Sequence, residues 1–139
     1  MAQHTVNTIW KGKTQFESDN PSGNKILIDS LEEKEASSSG LTPKAMMLSS
    51  LAGCSGLDIV SLLNKMRVQV DEFKIQIRAE LTEEHPKHYC SVWVDYHFTG
   101  TDLNRDKIQK AVNLSVDKYC GVMEMFRKFA SITTAVHYH

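Results

Sequence analysis

The stretch of sequence that decides the fold lies near the middle of the chain. Residues 42–66 read TPKAMMLSSLAGCSGLDIVSLLNKM. Thr42 suits a helix N-cap, and Pro43 suits the first helical position, where no amide donor is needed. Leucine, isoleucine, valine and methionine then occupy nearly all faces, which is typical of a helix buried on every side. The sequence therefore predicts a long central helix that begins at Pro43.

Two glycines, Gly53 and Gly56, lie inside this helix. Each costs about 1 kcal/mol of helix stability relative to alanine. We expect this cost to be offset by a close approach of another element to the helix backbone at these positions.

Alternating apolar and polar residues before the helix predict short strands. Such runs lie at residues 6–10 and 25–29, and the second follows an NPSG turn signal at 20–23. Residues 30–40 are acidic and then serine-rich, which indicates an exposed loop.

The same alternation returns after the helix. Residues 73–81 and 90–98 have the pattern of half-buried strands, and EEHPK at 83–87 indicates a hairpin turn between them. Residues 132–139 are expected to form a closing strand. Strands, a long helix, a hairpin, helices and a strand in this order predict an α+β fold with a mainly antiparallel sheet.

Two shorter helices are predicted between the hairpin and the closing strand. Asn104 suits the N-cap of the first, and Ser115 suits the N-cap of the second. Cys120 would then lie in the second turn of that helix, where the positive end of the helix dipole favours a thiolate.

Composition excludes several classes of protein. The chain has 139 residues, 41% hydrophobic and 24% charged, which predicts a single globular domain over residues 1–139. A net charge of −1 argues against a nucleic-acid or anionic-membrane partner, which requires a basic excess. No apolar run approaches a membrane span of roughly 18–20 residues, and the start, MAQHTV, does not resemble a signal peptide. We therefore expect a cytoplasmic protein.

The chain contains three cysteines, an odd and low count that differs from a secreted disulfide framework. Cys54 lies on a helix face that mixes small, polar and apolar residues, which favours reactivity. Free cysteine is nevertheless usually buried and inert, so a reactive and a structural Cys54 both stay open on this ground. Cys90 is interpreted as a core residue. Cys54 and Cys120 could pair only if their Cα atoms lie within about 4.4–6.8 Å.

Histidines provide the other candidate ligands. His85-x-x-His88-x-Cys90 and His137-x-His139 have some metal-like spacing, but no CxxC pair or helical His-x-x-x-His accompanies them. We interpret them as solvated residues near strand ends, and a chain terminus as a poor rigid platform for a metal. No metal or cofactor is therefore expected.

Three segments together resemble the OsmC/Ohr family, the osmotically inducible protein C and organic hydroperoxide resistance proteins. They are GLTPKAMMLSSLAGCSGLD at 40–58, EHP at 84–86 and LSVDKYCGV at 114–122. The resemblance covers nearly the whole chain in the right order. The lysine after Thr-Pro is closer to the shorter OsmC-like branch than to the core peroxidases.

This resemblance implies a swapped homodimer in which mainly antiparallel sheets wrap two long central helices. It also implies a peroxiredoxin-like thiol reaction of the oxidative stress response, in which organic hydroperoxides are reduced. By motif, Cys54 is the peroxidatic thiol and Cys120 the resolving thiol. A dithiol reductant, dihydrolipoyl in the best-known members, then restores both thiols. The apolar composition of the helix favours an alkyl or fatty-acyl hydroperoxide as substrate.

The sequence departs from the family at the groups that activate the first cysteine. Family peroxidases use an arginine from the N-terminal strands, held by a glutamate at the start of the long helix. Residues 1–40 contain no arginine, and Lys44 stands in the place of the glutamate. About 15 Å of helix rise separates Lys44 from its own Cys54. The cations of the N-terminal segment are Lys11, Lys13, Lys25 and Lys34.

Two hypotheses follow from this departure. A lysine, such as the Lys44 of another chain, could supply the charge that stabilises the thiolate. Alternatively, the activating groups have been lost and the thiols react slowly, which Asp58, one turn beyond Cys54, would favour if close. The sequence thus predicts a hydroperoxide reductase, with a non-catalytic small-molecule binding protein or a redox sensor as the alternatives.

Overall fold

The computed structural model describes residues 1–31 and 38–139 and divides the chain into two compact units, Met1–Met47 and Leu48–His139. Lys34 and most of the loop predicted at 30–40 lie outside the described residues. The elements in chain order are β1 (Thr8–Gly12), β2 (Gln15–Asp19), β3 (Lys25–Ile28), α1 (Pro43–Lys65), β4 (Glu72–Leu81), β5 (Tyr89–Thr99), α2 (Arg105–Leu114), a one-turn π-helix (Ser115–Tyr119), α3 (Gly121–Arg127) and β6 (Ser131–Tyr138).

The first unit contains an antiparallel sheet in the order β1-β2-β3. Sequence analysis missed β2, because no NG or DG turn signal precedes it. Gly12 and Lys13, with φ of 112° and 48°, instead reverse the chain between β1 and β2. The turn thus depends on one glycine followed by a lysine in the left-handed region.

The second unit contains a sheet in the order β4-β5-β6. The predicted hairpin is confirmed, since β4 pairs antiparallel with β5 from Glu72↔Thr99 onward. The closing strand is confirmed as well, but β6 pairs with β5 in parallel. A parallel pair needs a crossover connection, which α2, the π-helix and α3 supply. The prediction of an α+β fold with mainly antiparallel strands and a long helix is confirmed.

The core of the second unit is built on one face of α1. Its buried residues recur every fourth position, as one face of a helix requires. They are Leu51, Ser55, Ile59 and Leu63. The three apolar members join one cluster with the inward-facing residues of β5 and with residues of α2 and α3. Residues of β4 pack against this cluster from the side.

The prediction that α1 is buried all round is wrong within one chain. Leu57 on α1 is 75% exposed, and Val60 is 47% exposed. Helix composition reports how much apolar surface needs covering, but not whether the same chain covers it. The expected close approach is confirmed at Gly56, where an added Cβ would lie 3.2 Å from Ile75 Cδ1, and it is not found at Gly53.

By length and composition alone, α1 could also cross a membrane, contrary to the sequence expectation. Its best 18-residue window has a mean hydropathy of 1.6. The core helix of a soluble protein meets the same criterion, and the buried face of α1 belongs to the core cluster.

The predicted N-caps have different outcomes. Asn104 caps α2, since its side chain accepts a hydrogen bond from the Lys107 amide at 3.1 Å. Ser115 is not an N-cap, because it ends α2 as its C-cap and begins the π-helix directly. Cys120 itself is the N-cap of α3, and its sulfur accepts from the Met123 amide at 3.3 Å. The prediction that Cys120 lies in the second turn of a helix is therefore wrong.

A stability prediction follows from the packing of Gly40. A Cβ at this position would lie 2.6 Å from the Leu27 carbonyl oxygen, which is main chain and cannot rotate away. We expect Gly40→Ala to lower the free energy of unfolding by about 1–3 kcal/mol. Urea titration measures this, with Gly121→Ala as the control, because its Cβ meets nothing within 4 Å. Equal losses in both variants would contradict the assignment.

Candidate functional site

The structure brings together the two cysteines that the sequence singles out. Cys54 is half-buried near the middle of α1, and Cys120 is 4% exposed at the junction of the π-helix and α3. Cys54 is a close neighbour of Cys120, since it raises the pKa of the Cys120 thiol, and both thiols are free. The two thiols are therefore neighbours, and Cys54 is the more open to solvent.

The electrostatics of the site keep the Cys120 proton in place. Burial, above all, raises the pKa of the Cys120 thiol to about 11. The neighbouring Cys54 and the Asp58 carboxylate raise this pKa further, whereas the hydrogen bond from the Met123 amide lowers it. The expectation that a helix terminus favours a Cys120 thiolate is therefore wrong, because burial outweighs the amide.

A buried hydroxyl network borders the thiols. The Ser55 hydroxyl lies 2.7 Å from Tyr96 Oη and 2.9 Å from Ser115 Oγ. Ser115 Oγ in turn lies 3.2 Å from Asp58 Oδ2 and 3.3 Å from the Ser55 carbonyl oxygen. Burial raises the pKa of Tyr96 to about 12, so this phenol keeps its proton. Sequence analysis missed Ser55, Ser115 and Tyr96 as site residues; a buried serine on an apolar helix face was the signal available.

Cys90 is not a core residue, contrary to the sequence interpretation. It is half-buried and lies at an irregularity in the β4–β5 pairing, between Ser91 and Tyr89. Its thiol donates to the Glu80 carbonyl oxygen at 3.4 Å. Among the described residues, it belongs neither to the core cluster nor to the residues packed against it. Strand alternation predicted the wrong environment because the irregularity shifts the register there.

The lysines considered as activating cations belong to the first unit, where the structure describes them. Lys11 lies in β1 and Lys13 in the following turn. Lys25 Nζ forms an ion pair with Glu17 at 3.5 Å, and Lys44 is exposed in the first turn of α1. The charges that raise the pKa of the Cys120 thiol are those of Cys54 and of the Asp58 carboxylate.

A cavity of about 310 Å³ opens beside Cys120. Residues of the π-helix and of α3 line this cavity, and Arg127 contributes a guanidinium group to the lining. Arg127 is paired with Glu124 at 3.2 Å and with Asp117 at 4.0 Å, so its charge is largely balanced locally. Cys120 is among the residues that line this cavity, although the residue is only 4% exposed.

The C-terminal histidines form hydrogen bonds with other side chains, whereas the sequence predicted solvated residues. His137 Nε2 lies 2.8 Å from Asp95 Oδ1, and His97 Nδ1 lies 3.0 Å from His139 Nε2. The backbone of His139 is bonded on both sides, to Gly100 and Phe98. Within residues 1–31 and 38–139, no three histidine, cysteine or acidic side chains are arranged to hold a metal ion.

The fold and the site together define an α+β protein with two neighbouring thiols between a long central helix and the crossover that follows the hairpin. The family model of the OsmC-like protein matches residues 35–135. This chain belongs to the OsmC-like family, within the OsmC/Ohr group of proteins that it was found to resemble.

Individual relatives agree with this membership. Protein YhfA of Escherichia coli K12 is 34% identical over 124 residues, which cover 89% of this chain and 90% of that protein. The crystal structure of a hypothetical protein from Aquifex aeolicus VF5 matches 100% of this chain and 99% of its own, with 28% identity and a TM-score of 0.82. The organic hydroperoxide resistance protein OsmC of Legionella pneumophila shares the fold, at 14% identity and a TM-score of 0.71 over 99% and 98% of the chains.

The raised pKa of Cys120 predicts a pH dependence of stability. The folded chain keeps this proton up to about pH 11, whereas the unfolded thiol loses it near the ordinary value of 9.0. The contribution to stability is therefore complete below pH 9 and is lost as the pH rises towards 11. Urea unfolding of the reduced protein between pH 8 and 11 measures it. We expect Cys120→Ala to reduce the fall in the free energy of unfolding with pH. The part of this fall that is due to Tyr96 should remain. An unchanged pH dependence would contradict the raised pKa of Cys120.

Proposed function

We propose that the protein is a thiol-dependent peroxidase that reduces organic hydroperoxides. The observation that carries the proposal is that Cys54 and Cys120, which are distant in sequence, are close enough for Cys54 to raise the pKa of Cys120. Family membership supports it, because relatives with the same fold are named organic hydroperoxide resistance proteins. We place it in the cytoplasm, where thiols stay reduced between turnovers.

The roles follow from the burial of the two thiols and from the raised pKa of Cys120. Cys54, the more exposed thiol, is the peroxidatic residue, and it attacks as a thiolate. Its sulfur bonds to one peroxide oxygen while the O–O bond breaks, and the alkoxide leaves and takes up a proton to become the alcohol. Cys54 is now a sulfenic acid, which is the reversible oxidation state that condenses with a thiol.

Cys120 resolves the sulfenic acid. Its sulfur attacks the Cys54 sulfur, the sulfenic hydroxyl leaves with the Cys120 proton as water, and a disulfide remains. Because Cys120 is already a close neighbour of Cys54, this step needs no large movement of the chain. An external dithiol, of the lipoyl type, then reduces the disulfide by thiol exchange and is itself oxidised to a disulfide.

The working unit of this proposal is a swapped homodimer of single domains that each span residues 1–139. Apolar side chains exposed in one chain support it. On α1 they include Leu57, and in the first unit Ile9 and Trp10 are 59% and 65% exposed. An apolar surface of this extent is typical of a protein interface. Shared coverage of α1 would also leave an apolar surround for Cys54, which favours alkyl hydroperoxides.

A second candidate function has one observation in its favour. Cys54 and the Asp58 carboxylate raise the pKa of Cys120 by their charge, and within the described part of the chain no cation is among the causes of that shift. A scaffold without the activating charge would bind a small molecule or report oxidation by disulfide formation, without rapid turnover.

Cysteine variants test the proposed reaction. The reduced protein is treated with one equivalent of cumene hydroperoxide, and peptides are mapped by mass spectrometry after thiol trapping. We expect a rapid Cys54–Cys120 disulfide that a dithiol reverses. Cys54→Ser should lose peroxide consumption at least a hundredfold, and Cys120→Ser should accumulate the Cys54 sulfenic acid.

The control for this experiment is Cys90→Ser, which should react like the wild type because Cys90 lies away from the site. Oxidation that is slow, scattered over all three cysteines and no faster than in urea would reject the peroxidase and support the second candidate.

The proposed homodimer is tested by measuring the molecular mass of the protein in solution by analytical ultracentrifugation. We expect the wild type to sediment as a dimer at micromolar concentration, and Leu57→Glu to sediment largely as a monomer, because it would bury a charge at the interface. Met125→Glu, on an exposed residue of α3, is the control and should remain a dimer. A monomeric wild type would remove the proposed assembly.

A further inference from the structure

We propose that Ser115 is a positioning residue for Cys120, and that its hydrogen bonds to Ser55 and Asp58 on α1 hold the resolving thiol against Cys54. The proposal rests on the proposed function, since it concerns the step in which the two thiols become a disulfide.

The buried position of Ser115 is the first observation. Ser55 and Ser115 are both fully buried, although serine in a core costs free energy unless its hydroxyl is bonded. The described chain leaves no buried side-chain nitrogen or oxygen without a partner. Alanine would fill either position at lower cost, so the two hydroxyls are present for their bonds to each other and to Asp58.

The proton count gives the network one direction. Ser115 has one hydroxyl proton, and it donates this proton to Asp58 Oδ2 and the Ser55 carbonyl oxygen, which lie at 3.2 and 3.3 Å. The Ser55–Ser115 bond must then be donated by Ser55, and the Ser55–Tyr96 bond must be donated by Tyr96. The chain of donation therefore runs from Tyr96 through Ser55 and Ser115 to Asp58 and the Ser55 carbonyl oxygen. Hydrogen bonds aligned in this way strengthen one another.

Both members of the thiol pair are attached to this network. Ser55 directly follows Cys54 on α1. The backbone carbonyl of Ser115 accepts from the Cys120 amide at 2.9 Å, which closes the π-helix. A displacement of Ser115 would thus carry Cys120 with it, whereas the side chain of Ser115 fixes the same turn to α1. Ser115 therefore joins α1, which carries Cys54, to the π-helix, which leads into Cys120.

The test measures how strongly the two thiols pair, without using peroxide. The full-length protein is equilibrated with mixtures of reduced and oxidised dithiothreitol, and the fraction of Cys54–Cys120 disulfide is counted by mass spectrometry. We expect Ser115→Ala to lower the equilibrium constant for disulfide formation about tenfold, which is about 30 mV. Ser131→Ala, at the exposed start of β6, is the matched control and should equal the wild type.

The outcome is read on folded protein, shown by circular dichroism and a cooperative melt. A folded Ser115→Ala with a constant within twofold of the wild type would overturn the proposal, even if its Tm falls. If that variant does not fold, Tyr96→Phe replaces it, because it removes only the first donor of the chain and keeps the ring. We expect a threefold loss for Tyr96→Phe, and an unchanged constant would again overturn the proposal.

A second readout separates positioning from bulk stability. After one equivalent of cumene hydroperoxide, Ser115→Ala should form the Cys54 sulfenic acid at the wild-type rate but convert it to disulfide about tenfold more slowly, so that dimedone traps it. Equal slowing of both steps would contradict a role confined to Cys120. If the wild type does not react with the peroxide at all, the proposed function fails, whereas the dithiothreitol equilibrium still decides this inference.

Discussion

The buried face of α1 is the constraint on which the second unit depends. Its residues recur every fourth position and contact the sheet of β4, β5 and β6 through one continuous core. Ser55 interrupts that apolar face with a hydroxyl, and Tyr96 and Ser115 are arranged around it. Because Cys54 directly precedes Ser55, the packing that stabilises the core also fixes the helix position that carries this thiol. The site is thus a product of helix packing rather than of a loop.

Much of this arrangement could be predicted from sequence, for definite physical reasons. The cap at Thr42-Pro43 and the alternation in residues 73–81 and 90–98 are local signals, and the elements they predict are present. The strand β2 was missed because its turn uses Gly12 and Lys13 at positive φ. The π-helix was missed because serine is a common N-cap residue, whereas the Ser115 hydroxyl forms hydrogen bonds across the core to Ser55 and Asp58. Side-chain partners distant in sequence leave no periodic signal.

The candidate site divides in the same way. Motif resemblance singled out Cys54 and Cys120, and the structure places them close together. The direction of the Cys120 pKa shift could not be predicted, because burial outweighs the local helix geometry. For Cys90 the environment was predicted wrongly. The alternation of the strand indicated a core position, but Cys90 lies at an irregularity of the β4–β5 pairing and outside the core cluster. Local sequence motifs thus identify the candidate site residues, whereas the pKa and burial of each residue depend on neighbours that only the fold brings close.

The crossover that carries Cys120 also determines how oxidation would act on the whole molecule. A bond from residue 54 to residue 120 would enclose the β4–β5 hairpin and α2 in one covalent ring. Restricting a ring of that length removes entropy from the unfolded chain worth about 4 kcal/mol in the simplest polymer treatment. Each cycle of the proposed reaction would therefore alternate the protein between a more and a less proteolysis-resistant form. Cellular turnover of the protein would then be coupled to its redox state, with the reduced population degraded first.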